Sequence, residues 1–273
     1  MFLRRGWGVL FERLAQYFEG RGGIVRRGVL AESIELESGR VSGVRYSQRA
    51  EDRGDVQAGR EPEPGVEPAE AVVCTVPAHA LAPLLPEEWR GRPPFAGLER
   101  LGRSPIVSVE MWLDRVVVDR PMLGLRECEV EWVFDKGRLF GREGAPQHLS
   151  FIVSAAYRSA PKKNAELVAA AEAALRRYFP AMADARVERT LVLREPDATF
   201  ASSPETEKLR LGATTPIDGL YLAGDWTNTG LPATIEGAVR SGRRAAERAE
   251  AYARSGVRAE RPSLSPSGDA TRS

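Results

Sequence analysis

The sequence predicts an α/β chain whose middle part is α+β, and three observations carry that prediction. Near the carboxyl end, "GLYLAGDWTNTGLPATIEGAVRSGRRAAE" (residues 219–247) reads as a short buried strand, an acidic turn, a Thr/Gly/Pro loop and a helix rich in small residues. In the middle, "PIVSVEMWL", "ECEVEWVFD" and "HLSFIVSAA" each alternate apolar and polar residues. That period belongs to strands with one face covered, and three such runs argue for an antiparallel sheet. Helical spacing appears in "WGVLFERLAQYFEGRGG" and again over residues 162–179.

Taken in order, Leu10, Leu14, Tyr17 and Phe18 mark one face of the first helix, which Gly22 and Gly23 stop. Short strands are expected at residues 24–27 and 31–37, and "ESGRVSGVRY" turns a hairpin into a third strand. Residues 48–68 are rich in Glu, Gly, Pro, Asp and Arg and read as a surface loop or disordered insertion. "AEAVVCTVP" is a buried strand ended by Pro77, and "AHALAPLLPEEW" is helical in part, broken by Pro83 and Pro86. In the sheet region, Val107, Val109, Met111 and Leu113 share one face; Cys128, Val130, Trp132 and Phe134 share another, opposite three glutamates. The helix over 162–179 ends at Pro180, "RVERTLVLRE" is a strand, and the Ser/Pro/Arg-rich tail after Arg254 reads as disordered.

The 273 residues suffice for one large domain or two ordinary ones. A formal charge of +1, with Arg interleaved with Glu, implies no nucleic-acid partner. Cys74 and Cys128 sit in apolar runs and read as buried, reduced thiols of a cytoplasmic protein. No apolar run spans a bilayer, and "MFLRRGWGVLFERL" lacks the long apolar stretch and cleavage site of a signal peptide.

Asp225 follows the strand "GLYLAG", at the carboxyl end where open α/β sheets bind ligands. There a carboxylate can accept from sugar or polyol hydroxyls, or it can simply cap a turn. Pro232 precedes a helix starting at about residue 233 or 234, whose first N–H groups lack internal partners and carry the positive end of its dipole. Such a start suits an acceptor that becomes anionic. Gly237, Ala238, Ser241, Gly242, Ala245 and Ala246 admit either a flat ring or tight helix–sheet packing.

"LAGDWTNTGLPATIEGAVRSG" resembles the carboxyl-terminal FAD signature of the flavin amine oxidase and phytoene desaturase superfamily, most closely its squalene-associated desaturase branch, the hydroxysqualene dehydroxylases. "GGIVRRGVLAESIELESGRVSGV" is similar to the family's adenine-side hairpin, "AEAVVCTVPAHALAPLLP" to its "VV-x-x-VP" strand, and "EWVFDKGRL", "FIVSAA" and "REPDATFASSPETEKLRLG" to its substrate-domain and crossover segments. The resemblance implies a partial Rossmann-like FAD domain with an antiparallel-sheet substrate domain. On that division, residues 1–104 supply hairpin and strand elements of the FAD domain, with the insertion at 48–68. Residues 105–195 form the substrate domain, 196–250 the closing strand and helix, and 251–273 a disordered tail.

Carried over by position, the resemblance implies FAD contacts as follows. The backbone of Ala31 would face the adenine, where the family usually has Val, and residues 75–77, with Val76 central, would pass the dinucleotide. Gly224 and Asp225 would meet the pyrophosphate or ribitol, Trp226 and Thr227 would line the flavin pocket, and Pro232 would set up the helix. The N–H groups of Thr234 and Ile235 would face the flavin N1/O2 edge.

The family's G-x-G-x-x-G unit is absent, since "RRGWGVLF" follows no strand and lacks the third Gly. The chain is therefore expected to be the carboxyl-terminal part of a longer flavoenzyme. The implied activity is dehydroxylation of hydroxysqualene to squalene in hopanoid biosynthesis. A carotenoid-type desaturase or another amine-oxidase-like flavoenzyme is the alternative, as is an inactive fragment or half of a split enzyme needing a separate amino-terminal FAD-binding chain. A lipid substrate implies peripheral contact with a membrane.

The remaining constellations point elsewhere or nowhere. His79 and His148 lie far apart and outside ligand spacing, so no metal is expected, and no G-x-S-x-G elbow occurs. Glu236 either steadies the helix terminus or acts near the flavin. Asp197 and Thr199 in "EPDATF" either reach a substrate cavity or form a strand-end turn. Met111, Trp112, Trp132 and Phe134 belong to core, or in part to an apolar cavity wall. No catalytic residue is assigned.

Overall fold

The computed structural model describes residues 7–48 and 65–255. Most of the expected insertion, and the expected tail beyond residue 255, lie outside the described residues. The described residues form two compact units: 7–30 with 97–210, and 31–47 with 65–96 and 211–255.

In the first unit, α1 (Trp7–Glu19) is the expected helix, and its apolar face, including Leu10, Leu14, Tyr17 and Phe18, is exposed. Gly22, at φ 84°, turns the chain out of it. The strand expected at 24–27 does not form; that segment is irregular and Ile24 is 72% exposed, because local β propensity without a pairing partner does not hold a strand.

The sheet of this unit has the order β6-β7-β8-β5-β9, from Met122–Gly124, Trp132–Asp135, Gln147–Val153, Ser104–Leu113 and Val187–Thr199 respectively. Neighbouring strands are antiparallel throughout. Val107, Val109, Met111 and Leu113 of β5 are fully buried, as the alternation predicts. Opposite them stand Val153, Phe151, Leu149 and Gln147 of β8. Leu167, Ala171 and Leu175 of α5 (Asn164–Tyr178) close the same core.

Two expectations fail in this sheet. "ECEVEWVFD" yields a strand only over Trp132–Asp135, and its phase is inverted: Val133 is buried while Trp132 is 40% exposed. Val133 stands opposite Phe151, and directly paired residues share a face, so the partner's core side chain sets the register. Glu127, at φ 54°, bends the chain before the strand, and Cys128 is only half-buried. β9 also continues through "EPDAT", so Asp197 and Thr199 are strand residues rather than a turn, and Asp197 pairs with Arg103 at 3.2 Å.

In the second unit, β1 (Val29–Glu37) and β2 (Arg40–Gln48) form a hairpin whose turn residues, Ser38 and Gly39, both have positive φ (52° and 78°). β3 (Gly65–Pro68) pairs antiparallel with β2, so the end of the expected insertion is ordered sheet. β4 (Val72–Cys74) and β10 (Leu220–Leu222) run parallel side by side. α2 (Ala78–Leu84) contains Pro83 in its last turn and is not broken by it; Pro86 instead precedes α3 (Glu87–Arg90). α7 (Ile235–Arg254) extends into the range expected to be tail. No helix among the described residues is long and apolar enough to cross a membrane.

One surface cluster of the first unit makes stability depend on pH. Glu129 accepts from Lys162 Nζ at 2.7 and 2.8 Å and from Ser159 Oγ at 2.7 Å. The Lys162 bond is the main cause holding its carboxyl below the usual Glu value of 4.5. A carboxyl depressed in the folded state stabilises the fold above its unfolded pKa, and that contribution fades as pH falls through the folded value. Glu129→Gln is therefore expected to lower stability at pH 7 and to flatten the loss of stability below pH 4.5, as read by urea midpoints across pH.

Candidate functional site

β10 and the start of α7 build the site. Leu220, Leu222 and Ala223 are buried, and the Ala223 N–H donates to Cys74 O at 2.9 Å, extending the pairing with β4 by one step. Gly224 then takes φ 133°, which a side chain tolerates poorly. A Cβ there would lie 2.9 Å from Trp226 Nε1. The turn closes on itself: Thr227 Oγ1 donates to Gly224 O at 2.8 Å, and Gly224 N–H donates to Ser241 Oγ at 2.8 Å. Trp226 is buried, and its Nε1–H donates to Val76 O at 2.9 Å. Asp225 is half-buried within this turn.

The loop then leads into α7. Thr234 is its N-cap: extended backbone (φ −146°, ψ 161°), with Oγ1 accepting from Gly237 N–H at 3.1 Å. Gly237 is close-packed, since a Cβ would come 3.0 Å from Pro232 O. The N–H groups of Ile235 and Glu236, in the first turn, have no acceptor inside the helix. Ile235 and Val239, one turn apart, are 59% and 64% exposed, so apolar surface continues along the helix from that donor set. Thr234→Ala is expected to cost about 1 kcal/mol by removing the cap, measured as a fall in the urea midpoint.

Of the expected site residues, Val76, Gly224, Asp225, Trp226 and Thr227 come together in the turn, while Pro232, Thr234 and Ile235 form the helix start. Ala31 stands exposed on β1, in a different sheet. The small residues divide by role. Gly237, Ser241 and Ala245 are buried, and Ala245 packs with Tyr221 and Ala223 of the strand side. Gly242 has open space around it, and Ala246 is exposed. Glu236 accepts from Arg240 Nε at 2.7 Å, an exposed helix-surface ion pair.

Ser241, the acceptor for Gly224 N–H, is the member that residue pattern alone does not reveal, because it reads as one more small helix residue. Burial raises the Cys74 thiol above its ordinary range. Among the described residues no group of three or more His, Cys, Asp or Glu could hold a metal ion.

The family described as "Flavin containing amine oxidoreductase" matches residues 1–249. A hydroxysqualene dehydroxylase of Sinorhizobium fredii is 35% identical over 188 residues, 67% of this chain and 39% of the relative. A 15-cis-phytoene desaturase of Capsicum annuum is 27% identical over 244 residues, 86% of this chain and 39% of the relative. A crystal structure of an oxidoreductase from Methanosarcina mazei superposes with a TM-score of 0.67 at 18% identity, over 89% of this chain and 54% of that one. The chain thus spans about two fifths of the length of the relatives it matches.

Proposed function

From the premise that the chain belongs to the family of flavin containing amine oxidoreductases, we propose that it acts in an FAD-dependent oxidoreductase that removes the hydroxyl group of hydroxysqualene. Membership of the family implies FAD as the cofactor.

The residues fit such a group. The capped start of α7 offers donors on its positive dipole end, suited to an edge that gains negative charge. A Cβ at Gly224 would press on the Trp226 ring, which is bonded to Val76, so the turn keeps its backbone bare at this point. On this reading Gly224 and Asp225 hold the pyrophosphate or ribitol, and the backbone of residues 75–77 passes beside them. The N–H groups at Thr234 and Ile235 meet the flavin N1/O2 edge. Trp226 and Thr227, whose own polar atoms are engaged inside the turn, brace its shape. Pro232 sets the entry to α7, and Ala31 faces the adenine through its backbone.

Bound FAD supplies two-electron chemistry, delivered as hydride when reduced. The chain's own contribution is to fix the cofactor edge in a preorganised dipole field and to keep water from it. Because the chain spans 39% of the similar dehydroxylase, the proposal concerns the assembled enzyme. It includes a separate FAD-binding chain as partner and peripheral contact with a membrane that carries the isoprenoid.

The observation that carries the reading is the capped α7 start set against the Gly224 turn, together with the 35% identity to a hydroxysqualene dehydroxylase. Anaerobic incubation with hydroxysqualene and chemically reduced FAD tests it: squalene should accumulate, and unchanged hydroxysqualene would count against it. The longer alignment with phytoene desaturases, 86% of the chain, favours a second reading, desaturation of a carotenoid precursor. Desaturation consumes oxidised flavin, so bleaching of oxidised FAD by phytoene in place of squalene formation would select it.

A further inference from the structure

The register of the five-stranded sheet sorts its residues onto two faces, and the face turned away from the core holds a charged cluster that the cofactor site does not use. On β5 that face carries Ser108, Glu110 and Trp112. Glu110 stands opposite Ser150 on β8 and Leu191 on β9; Trp112 stands opposite His148 and Arg189. Around them the face is open: Trp132 is 40%, Leu191 42% and Leu193 49% exposed, and the Arg189 guanidinium lies 4.9 Å over the Trp112 ring.

Glu110 is nevertheless only 7% exposed. Its Oε2 lies 2.6 Å from His148 Nε2, and its Oε1 accepts from Ser150 Oγ at 2.6 Å. The imidazole stacks on Trp112 with centroids 4.2 Å apart and planes at 14°, and its side chain is 29% exposed. A buried carboxylate is costly even when paired, and an apolar residue would serve the sheet's stability as well or better. With both Glu110 oxygens engaged, His148 is the member of the pair that reaches the surface, a fixed polar group beside exposed apolar side chains.

We infer that the Glu110–His148–Ser150 cluster is the hydroxyl-recognition site for an isoprenoid alcohol, with the hydrocarbon chain laid over Trp132, Leu191 and Leu193. This deepens the proposed dehydroxylation by naming what would hold the hydroxyl, and it rests on that reading for the identity of the alcohol. The partner's being an alcohol is set by the cluster; its being a long isoprenoid is set by the apolar area around it.

The test is binding, read by tryptophan fluorescence on the whole chain, with hydroxysqualene and squalene presented in cyclodextrin. The alcohol should bind at least tenfold more tightly than the hydrocarbon. His148→Phe, which keeps the stack on Trp112, and Glu110→Gln, which keeps the shape, should each reduce that preference to threefold or less, with circular dichroism unchanged. Equal binding of the two ligands, no binding of the alcohol, or a preference that survives both substitutions would overturn the inference. Should a variant fail to fold, the unsubstituted chain's preference and the Ser150→Ala variant decide. Alcohol preference without squalene formation would sink the proposed activity and leave this site standing. Squalene formation without alcohol preference would do the reverse.

Discussion

Gln147→Leu is expected to lower the stability of the first unit by at least about 3 kcal/mol, although the substitution keeps the size and adds apolar surface. Gln147 is 1% exposed at the start of β8. Its Oε1 accepts from Val117 N–H at 2.7 Å and Val118 N–H at 3.1 Å, while its Nε2 donates to Val118 O at 2.7 Å and Asp135 Oδ2 at 2.7 Å. One side chain thereby satisfies three backbone groups of the segment between β5 and β6 and one buried carboxylate. Leucine leaves all four without that partner, and each unmade buried hydrogen bond costs about 1–3 kcal/mol. Domains are stable by only about 5–15 kcal/mol, so thermal melting should move down by roughly 6–12 °C. A shift of a degree or two would show that the segment relaxes into water without difficulty.

Gly224→Ala is expected to act on both fold and cofactor. The residue sits at φ 133°, and the added Cβ would meet Trp226 Nε1 at 2.9 Å and Cδ1 at 3.0 Å. Trp226 cannot swing away cheaply, being 3% exposed and bonded to Val76 O. Backbone strain and overpacking together should cost about 2–5 kcal/mol. Relief of that strain would displace Asp225 and break the Gly224 N–H bond to Ser241, so FAD affinity should fall at least tenfold even below the melting transition. Flavin fluorescence titrations of the folded variant check this. Wild-type affinity in the variant would remove Gly224 from the cofactor site.

These two residues also mark what local sequence conveys and what it does not. The alternation over "PIVSVEMWL" places the buried face of β5 correctly, because one covered sheet face imposes a period of two wherever it occurs. "ECEVEWVFD" reads as one apolar phase opposite three glutamates, yet Val133 from the other phase is the residue buried against Phe151 on the neighbouring strand, which sets the register. The β3 strand is hidden for a similar reason: "GVEP" has no strand pattern of its own and is ordered by pairing with β2.

At the site, Gly224 and Asp225 are local chemistry and can be read from a few residues, whereas Thr234, expected inside the helix, is its N-cap because α7 starts only at Ile235. The bond from Trp226 to Val76 joins positions 150 apart in sequence, and the role of Ser241 depends on how α7 packs on β10. The Glu110–His148 pair is likewise invisible until β5 and β8 are in register, because neither residue has a neighbour in sequence that suggests it.

The central claim is that the Gly224 turn and the start of α7 hold FAD. Titrating FAD into the purified protein while following the flavin absorption band after gel filtration tests it most directly. The account predicts co-eluting flavin that is lost in Gly224→Ala and weakened in Asp225→Ala. Flavin that never co-elutes, or that is retained equally by both variants, would contradict it.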